Sequence, residues 1–314
     1  MAEREPTGEY GRSSGEGPRR PQHTPPMRER DIHSDVITSR DNKWLKKFRA
    51  ALCGTGPDHD EPIGVEGPKL IADAVRCGLE TEALLVSNAG EGHLEQLLRA
   101  AAETESGVPR SRVLRTTDKL FASVAGTEAP QGVAALFRQR TWGFEDVLRG
   151  PGPMREAAPL VVVMAGVQDP GNVGTIIRSA EAFGATGVVA ARGTADPWSP
   201  KALRASAGSA LRLPVLRGMA VPVLLAQLKM ARVKIFAAGA ASHHAAGDIN
   251  ESRADLREPA AIFIGGEGAG LPPEVLHAAD ATISIPMSEA VESLNAGVAA
   301  SVVLFEAARQ REAK

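Results

Sequence analysis

Three short stretches hold polar residue types at spacings that could do chemistry. The first is Asp169-Pro170-Gly171-Asn172-Val173-Gly174-Thr175-Ile176-Ile177-Arg178, which follows an apolar run and opens a helix. Its glycines allow close backbone approach. Arg178 stands among Ile176, Ile177, Ala180, Ala182 and Phe183, so its guanidinium needs either a carboxylate or an anionic ligand. The second stretch, Ile264-Gly265-Gly266-Glu267-Gly268-Ala269-Gly270-Leu271-Pro272-Pro273, is a loop with almost no side-chain bulk and a single charge, Glu267. The third runs from Ile283–Ile285 through Pro286-Met287 to Ser293-Leu294-Asn295-Ala296-Gly297. There a β-branched strand meets a helix of small residues, and backbone groups plus two short polar side chains can face one small ligand.

Each stretch also has a plainer reading. Asn172 could be a simple N-cap, and the glycine loop a tight turn into a helix at Pro272. Ser293 and Asn295 could both cap the last helix, yet one helix needs only one such side chain, which leaves a polar group over. Other chemistries are poorly served. The glycine loop lacks the Gly-Lys-Ser/Thr of a phosphate loop and the G-x-G-x-x-G dinucleotide spacing, and no G-x-S-x-G elbow occurs. Cys53 and Cys77 cannot cage a metal, and the isolated pair His243-His244 reads as solvated, so no metal is expected.

The elements that must position these stretches alternate regularly. Strands are expected at Leu160–Ala165, Gly187–Ala191, Leu213–Leu216, Val233–Ala238, Ala260–Ile264 and Ala281–Ile285, with helices at Asn172–Phe183, Pro200–Ala207, Val221–Ala231, Pro272–Ala278 and Ser293–Arg311. Short continuous apolar strands alternating with helices predict a mostly parallel α/β sheet covered on both faces, with ligands beyond its carboxyl ends. Upstream, strands near 63–65, 83–86, 113 and 132–137, with helices at 68–75, 94–103 and 119–125, form a smaller α/β unit. Residues 141–158 are rich in Gly and Pro and read as a loop-like linker. The resulting division is 1–34 as a disordered tail of Gly, Pro, Arg, Glu and Ser, 35–140 as the first domain, 141–158 as linker and 159–314 as the second.

With 314 residues, 43% apolar, 24% charged and a formal net charge of -2, the chain is globular in class and lacks the basic excess of a nonspecific nucleic-acid coat. A local basic patch is present: Arg40, Lys43, Lys46, Lys47 and Arg49 lie within ten residues that hold one acid, Asp41. Trp44, Leu45, Phe48 and Leu52 recur there at helical spacing, so the bases face outward, either as a solvated face or as phosphate contacts. Two cysteines, no apolar leader and no run of roughly 18 apolar residues point to a cytoplasmic protein with no membrane association.

Taken together and in this order, the three stretches resemble the SpoU (TrmH-like) family of RNA ribose 2′-O-methyltransferases in the SPOUT superfamily. Ile37-Thr38-Ser39-Arg40, Val65-Glu66-Gly67-Pro68-Lys69-Leu70 and Thr127-Glu128-Ala129-Pro130-Gln131-Gly132-Val133 look like the ribosomal-protein-like RNA-binding domain that many members carry. The resemblance implies a SPOUT-type catalytic domain with a trefoil knot, a homodimer, and S-adenosyl-L-methionine held by Gly265, Gly266, Gly270, Leu271, Ile285, Met287 and Leu294. It implies that Asn172, Arg178, Glu267, Ser293 and Asn295 are the catalytic polar set, and that RNA is bound through Arg40, Lys43, Lys46, Lys47 and Arg49. Glu289-Ala290 and Ala296-Gly297 depart from the family's usual pairs, which bears on pocket shape.

The implied reaction is methyl transfer to a ribose 2′-hydroxyl, most naturally of 23S ribosomal RNA, with transfer RNA as the alternative. Two rivals remain: a catalytically inactive RNA-binding protein of the same fold, and a nucleotide-dependent enzyme of ordinary doubly wound topology. Binding of S-adenosylmethionine separates the first, and a phosphate-binding loop would be needed for the second.

Overall fold

The computed structural model describes residues 34–58, 60–102, 112–152, 157–239, 248–250, 254–288, 290–291 and 293–312. Residues 1–33 of the expected tail, and His243-His244, lie outside these, while Ser34 opens the first strand.

The first half is built from β1 (Ser34–Ile37), α1 (Lys43–Cys53), β2 (Ile63–Glu66), α2 (Pro68–Arg76), β3 (Thr81–Ser87), α3 (Glu91–Ala102), β4 (Arg112–Thr116), α4 (Asp118–Ala122) and β5 (Val133–Phe137). Its sheet has the order β1-β4-β3-β5-β2, in which β5 runs antiparallel to both its neighbours. Asn42 starts α1 by accepting the Trp44 amide on its side chain, and the helix buries Leu45, Phe48 and Leu52 against Leu85, Leu114 and Leu136. Trp44 stays half-buried, with Lys47 and Arg112 over its ring, an arrangement in which cations are drawn to the negative face of the indole.

The second half holds α5 (Phe144–Arg149), β6 (Leu160–Ala165), α6 (Pro170–Ala182), β7 (Gly187–Ala191), α7 (Pro200–Ala205), α8 (Ser209–Arg212), β8 (Val215–Met219), α9 (Val221–Met230), β9 (Lys234–Ala238), β10 (Asp248–Asn250), β11 (Ala260–Gly265), α10 (Pro273–Ala278), β12 (Ala281–Ser284) and α11 (Ala296–Glu312). The seven strands are all parallel, in the order β10-β12-β9-β11-β6-β7-β8. Alternation along β6 explains why both faces are covered: Leu160, Val162 and Met164 join the cluster under α6 and α11, while Val161 and Val163 join Leu224, Leu228 and Val275 on the other side.

Residues 141–158 depart from the expected loop. Six of them form α5, which Gly143 and Gly150 delimit, and its single buried residue, Val147, packs into the second half's core. Phe144 and Leu148 pack beside it at helical spacing, but a single turn and a half bounded by glycines and prolines is too short a repeat to stand out in the sequence. The two halves also share a core, since Ile63, Val65 and Ile71 belong to the same buried cluster as Ile176, Leu203 and Leu211. A polar clamp backs this up. Arg217 is ion-paired with Asp196 and donates to Gln139 Oε1 at 2.9 Å, and the Gln139 amide donates to the backbone carbonyl of Glu61 at 2.6 Å.

Candidate functional site

The loop after β6 and the start of α6 position Asn172. Asp169 is the N-cap: its carboxylate accepts the Asn172 backbone amide at 3.3 Å and pairs with Lys201, whose hydrogen bond holds the Asp169 carboxyl below its ordinary range. Asn172 is therefore not the cap, and its own amide is free to work elsewhere. It is buried, 8% exposed, and points toward the loop after β11.

There Asn172 Nδ2 donates to Glu267 Oε1 at 2.6 Å, while Asn295 Nδ2 donates to Asn172 Oδ1 at 2.9 Å and to Glu267 Oε1 at 3.2 Å. The three side chains close a ring across segments 95 and 123 residues distant from Asn172. Asn295 has a second task. Its Oδ1 accepts the backbone amides of Gly297 at 2.9 Å and Val298 at 3.3 Å, so it is the side-chain cap of α11. Ser293, the surplus polar group, is exposed and lines the adjoining cavity instead.

That cavity, about 400 Å³, lies beyond the carboxyl ends of β9, β11 and β12. Ile285, Met287 and Leu294 supply apolar wall, while Gly265, Gly266 and Gly270 supply bare backbone. The glycines are required by crowding. A Cβ on Gly266 would meet the Gly166 carbonyl oxygen at 2.1 Å, and one on Gly265 would meet the Gly270 carbonyl carbon at 2.5 Å. The loop is closed on itself by the Gly270 amide donating to the Gly266 carbonyl at 3.0 Å. Leu271 alone of the expected cofactor residues does not line the cavity: its side chain packs with the cluster under α9 and α10, and its backbone nitrogen backs Gly265. Sequence reasoning passed over Ala238 and Gly239, which line the cavity from the end of β9. Small residues ending a strand carry no local signal of that role.

The lining fits S-adenosylmethionine better than a phosphorylated nucleotide. Among the described residues it contains no lysine or arginine to neutralise phosphates, and its one charge there is the Glu267 carboxylate, which suits a cation. Among the described residues no group of three His, Cys, Asp or Glu is placed to hold a metal.

Arg178 is not part of the ring. Six residues on from Asn172 at 3.6 residues per turn, it stands about 120° away round the helix. It is exposed and makes no ion pair among the described residues. Of the expected RNA-binding bases on or beside α1, Lys46 pairs with Asp41 at 3.8 Å, Lys47 pairs with Glu82, and Arg49 Nε donates to the Ser123 carbonyl at 3.3 Å. Arg40 and Lys43 are exposed and carry no ion pair among the described residues.

Comparison with known proteins finds chains similar to this one over most of its length. Residues 159–305 match the SpoU rRNA methylase family, and residues 58–135 match the MRM3-like substrate binding domain. The chain is 30% identical over 269 residues to the 23S rRNA (guanosine(2553)-2′-O)-methyltransferase of Bacillus subtilis, covering 86% of this chain and 97% of that one. Its fold is similar to that of an AdoMet-bound rRNA methyltransferase from Sinorhizobium meliloti, with a TM-score of 0.73 and 30% identity over 88% of this chain and 98% of that chain. The SpoU methyltransferase AviRb from Streptomyces viridochromogenes, crystallised in complex with AdoMet, gives a TM-score of 0.73 at 28% identity, covering 86% of this chain and 98% of that chain. Matched along nearly the whole length of these proteins, the chain belongs to the SpoU rRNA methylase family.

Proposed function

We propose that this protein transfers a methyl group from S-adenosyl-L-methionine to a ribose 2′-hydroxyl of RNA, with 23S ribosomal RNA as the substrate. The observation that carries the reading is the closed ring of Asn172, Glu267 and Asn295 at the edge of a small cavity with no lysine or arginine among its described lining residues.

When bound, S-adenosylmethionine supplies a methyl group activated on a positively charged sulfur. The glycine backbone at 265–270 would hold its adenosine, with Ile285, Met287 and Leu294 packing on the base and Ser293 at the edge. Asn172 and Asn295 keep the Glu267 carboxylate fixed by two donated hydrogen bonds to one oxygen, and its other oxygen accepts none among the described residues. The ring thus orients the ribose and fixes the loops, and orientation of two bound reactants supplies roughly 7–11 kcal/mol of a barrier. A guanidinium is a donor with no lone pair to offer, so Arg178 stabilises the developing alkoxide and a neighbouring phosphate, and water or phosphate takes the proton.

The position of Arg178 on an outward face calls for a second copy. Thr175, Arg178 and Ala182 of α6 are exposed beside Val298 and Phe305 of α11, which are 49% and 56% exposed. A homodimer joined across this face covers the apolar pair and closes the site around Arg178. Residues 35–140 select the RNA, aided by Arg40, Lys43, Lys46, Lys47 and Arg49, and residues 159–314 deliver the methyl group. The knot and a cytoplasmic setting belong to the same reading. Among the described residues no helix is long and apolar enough to cross a membrane.

The test is to incubate the purified protein with methyl-tritiated S-adenosylmethionine and an unmodified 23S rRNA transcript, then hydrolyse with alkali. Label in alkali-resistant dinucleotides is expected, because a 2′-O-methyl group blocks cleavage. Cofactor binding by calorimetry with no label entering any ribosomal RNA would overturn the reading.

A further inference from the structure

Asn172 reaches the small cavity through Glu267, and the loop before it borders a second cavity. The first lies beyond β9, β11 and β12. The second, beyond β7 and β8, is a groove of about 1090 Å³ between the two halves of the molecule, and Gln168 and Pro170 form part of its wall. Small-molecule pockets occupy roughly 300–1,000 Å³, so this groove is already larger than one cofactor needs.

Its two walls differ in chemistry. The wall from the second half carries Arg192, Lys201 and Arg204, all exposed. Arg192 and Arg204 make no ion pair among the described residues, and Lys201 is tied to Asp169, the cap of the Asn172 helix. A fourth base, Arg217, is already committed to Asp196 and Gln139 and holds the halves together. The opposite wall is made of 54–58 and 125–128, mostly Gly, Thr and Pro, with the carboxylates of Asp58 and Glu128. Glu66 fixes this wall by accepting the Gly126 amide at 2.8 Å and the Thr127 hydroxyl.

We infer that this groove is a second RNA subsite, holding the unpaired nucleotides that flank the methylated one. Phosphates lie along Arg192, Lys201 and Arg204, which act as charge-assisted donors. Base amino groups and ribose hydroxyls turn to the opposite wall, where carboxylates, threonine hydroxyls and carbonyls accept from them. Among the described residues no aromatic side chain lines the groove, so the strand is gripped there by its backbone and edges rather than by stacking. Splayed single-stranded nucleotides present those groups, whereas an A-form duplex ties up base amino groups in pairing and hides other base edges in a deep, narrow major groove. A strand seated here passes directly over Gln168 and Pro170 to Asn172, which places its next nucleotide at the ring. The inference rests on the methyltransferase reading for the identity of the substrate.

Two measurements on the full-length protein test it, with an unmodified 23S rRNA transcript as probe. In filter binding across a salt series, the Arg192→Glu/Arg204→Glu variant should lose at least tenfold in affinity and lower the slope of log K against log salt by about two, roughly one per phosphate contact. Its affinity for S-adenosylmethionine should match wild type. In the second measurement, a transcript containing 4-thiouridine is photocrosslinked to the unaltered protein, and peptides spanning 54–58, 125–128 or 190–204 should carry the adduct. Wild-type affinity and slope in the variant, or crosslinks confined to α1, overturn the subsite while leaving the methyltransferase reading intact. An unaltered protein that neither binds nor methylates the transcript overturns both.

Discussion

Asn295 divides one amide between two tasks, since its oxygen caps α11 and its nitrogen ties Asn172 to Glu267. The tasks separate by substitution. Asn295→Ser keeps a capping oxygen but cannot reach across, so thermal stability should stay within several tenths of a kcal/mol while methyl transfer falls at least tenfold. Asn295→Ala loses the cap as well and should cost about 1 kcal/mol more in a denaturant titration. Equal stability loss in both, with activity retained in the serine variant, would refute the division. Asn172 carries the complementary lesson. As a residue following Pro170-Gly171 it reads equally well as a cap, and only the placement of Asp169 one turn earlier releases its side chain for the ring.

The ring depends on how two parallel helices lie together. Thr175, Ser179 and Phe183 of the α6 segment meet Gly297, Ser301 and Phe305 of α11, a match at four-residue intervals on both. A Cβ on Gly297 would stand 3.0 Å from Thr175 Cγ2 and 3.2 Å from Asn295 Oδ1. Gly297→Val should therefore spread the seam at its ring end, destabilise by about 1–3 kcal/mol and weaken S-adenosylmethionine binding, as read by thermal melts and calorimetry. The far end of α11 is a lock of a different kind. Arg311 donates to the backbone carbonyls of Leu256, Pro159 and Glu258 at 2.7–3.1 Å and also to that of Ala158, fastening the start of β6. Beside it the Glu306 carboxylate accepts from Arg309 at 2.7 and 2.8 Å and from Gln310 at 2.8 Å, and these bonds pull its pKa from 4.5 to about 2. Because the folded value lies below the unfolded one, the stabilisation is fully present above about pH 4.5 and fades as pH falls toward 2. Urea midpoints of wild type should fall more steeply through that window than those of Glu306→Gln. Parallel slopes would remove Glu306 from the account.

At the scale of the whole molecule, the outward face of α6 and α11 and the groove between the halves are both products of assembly. Phe305→Glu places a charge on the proposed dimer face, at the end of the α6–α11 seam away from the Asn172–Glu267–Asn295 ring. Sedimentation should then show a monomer, with S-adenosylmethionine binding retained and methyl transfer reduced at least tenfold. A monomeric wild-type protein of full activity would dismiss the face. The groove was invisible in the sequence because Arg192, Lys201 and Arg204 are spread over thirteen positions and separated by a turn and a helix start. The patch on and beside α1 stood out because its five bases fall within ten residues, yet folding gives Lys46 and Lys47 acidic partners that the sequence does not place nearby in one case, Glu82.

The alternation of apolar strands and helices, and the three polar strand ends, were legible along the chain because burial on both faces and tight glycine turns leave local marks at Leu160–Ala165, Gly265–Gly270 and Asn295. What the tertiary structure decided is which of those ends meet. Parallel order brings β6 beside β11 and so sets Asn172 against Glu267, helix pitch turns Arg178 outward, and the docking of the two halves leaves a groove with one basic wall between them. None of these follows from neighbouring residues, since each is a distance between segments that only packing brings together.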